Sequence, residues 1–261
     1  MADFSDPRNP FNYPINPDFG HGIYRRRIRL VNHDGRVEGA LEDCNHGFCV
    51  TVHHNGRTVT RVDGEHKRVP FNTCGGAIEP LQALAGTALG LSSQQLAEQV
   101  NPRANCTHWL DLALLAIRHA VRDEAQRQYD VQVPDESDEL TEAQVLRNGE
   151  LVLAWQVRDW VIQAPAALAG NTLFRGFSAW ANAAYPDEEQ KEAAFILQKG
   201  YFVSRARRFD IEKIAGESAA RHSSMRDACY SYSAPQRDVA LRTSGTTRDF
   251  TDSAELLLQF K

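Results

Sequence analysis

Apolar and polar residues alternate between positions 23 and 63 in four short runs, roughly 23–31, 36–43, 48–54 and 57–63. The turn formers Asp34-Gly35, Asn45 to Gly47 and Asn55-Gly56 divide them. A period of two broken by such turns predicts an antiparallel meander. In the second run Val37, Gly39, Leu41 and Asp43 share one face, and Glu38, Ala40 and Glu42 the other. Phe48, Val50 and Val52 alternate in the same way with Cys49, Thr51 and His53 in the third. Each strand is expected to bury one side, so Asp43 ends an apolar face.

Helical spacing follows over about 77–89, 92–100 and 106–127. The last of these is apolar nearly all round, from Trp109 and Leu110 to Ile117 and Val121, with a narrow stripe of Asp111, Arg118 and Arg122. It reads as a central helix buried against the sheet. Residues 133–139 read as a connection, 151–162 as further strand, 186–208 as helix, and 242–252 as a Ser/Thr/Arg-rich stretch before a final apolar run, Leu256 to Phe260. The expectation is an α+β fold: an irregular arm over 1–21, then one domain over 22–261. Its first part, 22–130, holds the meander, and 131–261 completes or covers a pocket.

Composition narrows the function classes. A net charge of −5 gives no general attraction to nucleic acid or anionic membrane, although Arg25-Arg26-Arg27 and Arg205 to Arg208 are local basic clusters. No apolar run approaches the ~20 residues of a membrane span, and the N-terminus lacks the apolar stretch of a secretion signal, so a cytoplasmic protein is expected. The five cysteines, at 44, 49, 74, 106 and 229, form no C-x-x-C pair. Reduced thiols without structural zinc are the expectation. P-loop, G-x-G-x-x-G, H-E-x-x-H and G-x-S-x-G motifs are absent from the sequence, so neither a cofactor nor a metal is expected.

The candidate chemistry gathers at a helix start. Asn105 reads as an N-cap, which places Cys106, Thr107 and His108 in the first turn, where free N–H groups and the helix dipole favour an anion. That position is expected to lower the pKa of Cys106 and keep His108 neutral, conditions for a thiolate nucleophile or an imidazole base. A small packed thiol and a satisfied core histidine explain the same residues. Asp43 and His46 read as an acid/base pair, or as solvated turn residues. His53 and His54 point to opposite faces and cannot jointly hold one metal without distortion. Cys74, ahead of Gly75-Gly76, either approaches Cys106 or simply packs. Farther along, Arg175, Tyr185, Tyr201 and the arginines at 205, 207 and 208 suit an acidic or phenolic ligand, or a solvated helix face. Trp109, Phe174, Phe177 and Trp180 suit an aromatic wall, or core.

Taken together, Ile28 after the Arg triplet, Asp34-Gly35, Glu38-Gly39, Leu41, Asp43, His46, the lone Cys74 and Cys106-Thr107-His108 resemble the bacterial family known as domain of unknown function 2889. The resemblance spans about residues 23–125. Tyr24, Asn105 and Trp109 depart from its pattern, standing where the family has His, Gly and Leu. It implies that Glu38, Asp43, His46, Cys106 and His108 converge, and it suggests a role in breaking down aromatic or acyl compounds.

The leading expectation is a cofactor-independent lyase acting by acid/base chemistry on a small aromatic or phenolic compound, for example a lignin-derived dimer that releases formaldehyde. His108 or His46 would remove a hydroxyl proton, Asp43 would orient the imidazole, and Trp109, Arg175, Phe177, Trp180 and Tyr185 would hold the substrate. The alternatives are a thioester or ester hydrolase using Cys106, a metal enzyme built on His46, His108 and a carboxylate, and a small-molecule-binding module without turnover. The N-terminal arm makes a homodimer a candidate state.

Overall fold

The structure, a computed structural model, describes residues 9, 11–136 and 140–260. Residues 1–8 and 10 of the expected arm, and 137–139 of the expected connection, lie outside the described residues. The alternation at positions 23–63 forms the meander it predicts, as β1 (Ile23–His33), β2 (Arg36–Asp43), β3 (Gly47–His54) and β4 (Val59–Arg68). Four further strands extend it past β1: β5 (Gln126–Pro134), β6 (Thr141–Arg147), β7 (Glu150–Arg158) and β8 (Val161–Ala164). The result is one eight-stranded antiparallel sheet, ordered β4-β3-β2-β1-β5-β6-β7-β8, in an α+β fold.

Helices cover one face of this sheet. After the short α1 (Ser93–Glu98), capped by Ser92, the apolar α2 (Thr107–His119) lies across β1, β2 and β3. Glycine permits this close approach: a Cβ on Gly39 would meet Leu112 at 3.2 Å, and one on Gly64 would meet the Trp109 ring at 3.1 Å. The helix α4 (Glu188–Ser204), capped by Asp187, lies on β5, β6 and β7 beside α3 (Phe177–Ala184). Ion pairs tie α2 and the turn after it to α4, from Arg118 to Glu188 and Glu192, from Arg122 to Glu189 and Glu192, and from Lys199 to Asp111.

Several boundaries differ from expectation for local reasons. The helix expected over 77–89 is instead two short 3-10 turns, Cys74–Ile78 and Pro80–Leu84, in a stretch interrupted by Gly75-Gly76, Pro80 and Gly86. α2 stops at His119 rather than 127, because the Asn32 amide takes the carbonyls of His119, Arg122 and Glu124 and turns the chain into β5. Residues 133–136 include the end of β5, not a connection alone. From 205 to 260 the chain runs mostly in turns back across the first half. It meets the arm at Ile15–Phe209 and the segment after β4 at Phe71–Arg242.

Candidate functional site

The turn from β2 to β3 is built around Asp43, which is wholly buried at 0% exposure. Its Oδ1 accepts from the backbone N–H groups of Asn45 (2.8 Å) and His46 (3.0 Å), and from His46 Nδ1 (2.9 Å). Its Oδ2 accepts from the Tyr24 hydroxyl (2.9 Å) and from Arg26 Nε (3.0 Å) and Nη2 (2.6 Å). Strand register supplies these partners, since Arg26 stands opposite Asp43 and Tyr24 lies two residues back on the same face. Burial alone would raise the Asp43 carboxyl; the neighbouring charges of His46 and Arg26 reverse this and hold it well below the usual carboxylate range. Because the carboxylate is ionised and only accepts, His46 donates to it from Nδ1.

A second arginine locks the backbone of this turn. Arg68, buried at the end of β4, donates to the carbonyls of Asp43 (2.6 Å), Cys44 (2.9 Å) and Thr246 (2.6 Å) and to the Glu42 carboxylate (3.1 Å). The C-terminal segment closes over the same corner, where the Leu258 N–H donates to Glu42 and the Arg248 N–H to the Cys44 carbonyl.

The start of α2 brings His108 to this turn. Its ring stacks on that of His46, with centroids 3.9 Å apart and planes 26° from parallel. His108 Nε2 is shut off from solvent and has no hydrogen-bond partner. Burial, followed by the positive charges of His46 and Arg26, lowers its pKa well below the ordinary histidine value, so the ring is neutral as expected.

Cys106 differs from expectation. It, not Asn105, is the N-cap, because the 3-10 turn Pro102–Ala104 leaves Asn105 extended with its amide on the Asn101 carbonyl. Burial pushes the Cys106 thiol well above its usual range and outweighs the nearby N–H groups of Trp109 and His108. A thiol so held is protonated and a poor nucleophile.

Between α2, α3 and α4 lies a cavity of about 540 Å³ floored by Arg26, Ile28 and Leu41 of the sheet. This is the size range that takes a drug-sized ligand. Phe174, Phe177, Phe195, Leu96 and Leu115 give it apolar walls, while Arg26, Asp111 and Lys199 give it charged groups on the floor, on α2 and on α4, beside the pair Arg118–Glu192 (3.3 Å). Arg26 links cavity and cluster: it borders the open space and grips Asp43. His108 feels the charges of both Arg26 and Lys199.

The structure therefore brings together Asp43, His46 and His108, with Cys106 close by on the same helix start. Glu38 is apart from them. It lies on the opposite face, paired with Arg36 (3.0 Å) and His33 (3.3 Å) in solvent, because the strand alternation that buries Asp43 turns Glu38 outward. Of the expected substrate residues, Phe177 lines the cavity. Trp109 is core, its indole N–H on the Cys49 carbonyl; Trp180 and Tyr185 pack around Trp155; Arg175 is exposed and does not line the cavity. Cys74 is buried with its sulfur on Ser231 (3.3 Å), and burial raises its thiol to about 11.

The chain matches no protein-family model and no curated protein. Its likeness to the bacterial family named above thus rests on the residues quoted for it. Among the described residues, no helix is long and apolar enough to cross a membrane.

Two residues of the site escaped the sequence reading, Tyr24 and Arg26. Arg26 belongs to a local basic triplet, yet Tyr24, Arg26, Ile28 and Leu30 alternate on one face of the first run and all four are buried. That alternation was the available sign that one arginine of three points inward.

Asp43, His46 and His108 can also hold a metal ion. One ligand atom from each lies within 4.8 Å of the others. Two imidazoles and a carboxylate are a suitable donor set for zinc or ferrous iron.

Proposed function

We propose that the chain is a lyase that uses His108 and His46 to move a proton on a small aromatic compound bound in the cavity. The observation that carries this reading is the neutral His108, its Nε2 without a partner, stacked on an imidazole that Asp43 orients. The histidines do not themselves line the largely apolar cavity; Arg26, which grips Asp43 and borders the open space, joins the two. A ring nitrogen shut off from solvent without a hydrogen-bond partner is costly, and a base held neutral at pH 7 is ready to accept a proton. The resemblance to the bacterial family adds an associational argument for aromatic catabolism.

In the concrete version, an imidazole takes the proton of a hydroxymethyl group and the bond from that carbon to the ring-bearing carbon breaks. Formaldehyde leaves, and the electron pair passes onto the ring-conjugated carbon, which takes the proton back from the imidazolium. The test is formaldehyde release from hydroxymethyl-bearing phenolic dimers, with His108→Ala and His46→Ala compared for turnover and for ligand binding. Release that both variants abolish while still binding the ligand supports the proposal; binding without any product points to a non-catalytic module.

The clustering of Asp43, His46 and His108 favours a second reading, metal-assisted chemistry at the same residues. It requires the Asp43 carboxylate to give up part of its present hydrogen-bond set for a metal bond. Elemental analysis decides: about one zinc or iron per chain, lost in His108→Ala, selects this reading over metal-free proton transfer.

A further inference from the structure

We infer that the charged groups of the cavity bind the carboxylate of an aromatic acid, with Arg26 and Lys199 as the two donors. This deepens the proposed function by naming a substrate class, and it rests on the reading of the cavity as a ligand site. Arg26 commits Nε and Nη2 to a single oxygen of Asp43, while Nη1 donates to no atom of the described residues. The residue is 2% exposed and lines the cavity, where the Asp111 carboxylate is a further negative charge acting on it. Guanidinium groups held this way by a buried carboxylate are fixed in direction, which favours recognition of a planar acceptor.

Lys199 brings the second donor from α4, on the other side of the cavity. Its ammonium group contacts Asp111 at 3.1 Å, which occupies one of three donors. Asp111 is 40% exposed and can turn to solvent, and pairs of this kind contribute little to stability. An incoming carboxylate that takes its place leaves Arg26 and Lys199 facing Asp43 and the ligand, while Arg118 and Glu192, which also line the cavity, stay paired with each other (3.3 Å). Donors from two separate elements suit an acceptor with two oxygens better than the single oxygen of a phenol, which is protonated at pH 7. The phenylalanines at 174, 177 and 195 supply the surface for the ring.

The experiment is titration calorimetry of the whole chain with biphenyl-4-carboxylate and its neutral isostere, biphenyl-4-carboxamide. The carboxylate is expected to bind about tenfold tighter or more, the usual worth of a charge-assisted hydrogen bond. Lys199→Met should remove much of that preference and leave the carboxamide unchanged. Asp111→Asn, which frees Lys199, should tighten the carboxylate alone; a merely structural Asp111 would not act this way. Both side chains are partly exposed, so the variants should fold, whereas Arg26 variants would strand Asp43. Equal binding of the two ligands, or a preference that Lys199→Met leaves intact, overturns the inference while the aromatic cavity stands. Failure of both ligands to bind overturns the inference and the cavity reading together.

Discussion

Replacing Asp43 with Asn tests the centre of the candidate site, because the two side chains have the same shape and differ in charge and donors. The amide oxygen can still accept from the N–H groups of Asn45 and His46, so the turn itself has its caps. The amide nitrogen, however, then faces three donors, the Tyr24 hydroxyl and Arg26 Nε and Nη2, and it accepts from none of them. Arg26, 2% exposed, is left with an uncompensated buried charge. Removing one partner of a buried ion pair costs about 3–5 kcal/mol. In a domain of this size that corresponds to a fall in Tm of roughly 6–20 °C. Urea unfolding followed by circular dichroism gives the free energy, and the slope with denaturant shows whether the folded state kept its compactness. The double variant Arg26→Met/Asp43→Asn should lose less than Asp43→Asn alone, since it takes the stranded charge away. A loss below about 1 kcal/mol at unchanged slope, or a double variant no better than the single one, would refute the claim that this ion pair anchors the site.

Other expectations follow from the same geometry. His108 has a folded pKa below its unfolded value of ~6.5, so between those two values the unfolded chain binds the extra proton. Stability should therefore fall as pH drops below ~6.5, by up to about 1.4 kcal/mol per pH unit for this one group. His119 and His222 are also lowered and add to the slope, so the check is the difference between wild type and His108→Asn, and identical slopes would contradict the assignment. Asp43, depressed instead, stabilises fully above about pH 4 and loses that contribution as pH falls toward its folded value, so Asp43→Asn should lack this acid-range segment. Cys106 should resist iodoacetamide in the native protein at pH 7 and react on unfolding; rapid native labelling mapped to Cys106 would revive the thiolate reading. Glu38→Gln should change stability by less than about 0.5 kcal/mol and leave ligand binding alone, since its partners are exposed.

Where one face of a strand is apolar and the turns are marked, the sequence is readable, and β1 to β3 fall within two residues of their expected limits. The same signs were present farther on and were masked by neighbours. Arg127, Tyr129, Val131 and Val133 are the buried positions of β5, a clean alternation, but the preceding helix pattern blends into it without a glycine or proline. Asn32, far back in the sequence, holds the break through its side chain and its backbone N–H, so a local pattern could not locate it. Asn148-Gly149, with φ of 51° and 88°, forms the hairpin between β6 and β7, and this dipeptide is the strongest short-range hairpin sign a sequence carries.

The site divides in the same way. Asp43 was legible because an acid at the end of an apolar face needs a partner, and a histidine lay three residues on. The partner that decides its charge state, Arg26, is set by the pairing of β1 with β2, and Lys199 reaches the cavity through the packing of α4 beside α2. Both are consequences of long-range contacts. The error at Cys106 is different in kind: the helix start was identified to within a residue, but the dipole and N–H groups there act on a thiol that burial has already pushed the other way. A helix N-terminus favours an anion only where the anion can be solvated or paired, and here the paired anion is Asp43, next to His46 and within reach of His108. Any proton transfer at this corner is therefore expected to run through imidazole rather than sulfur.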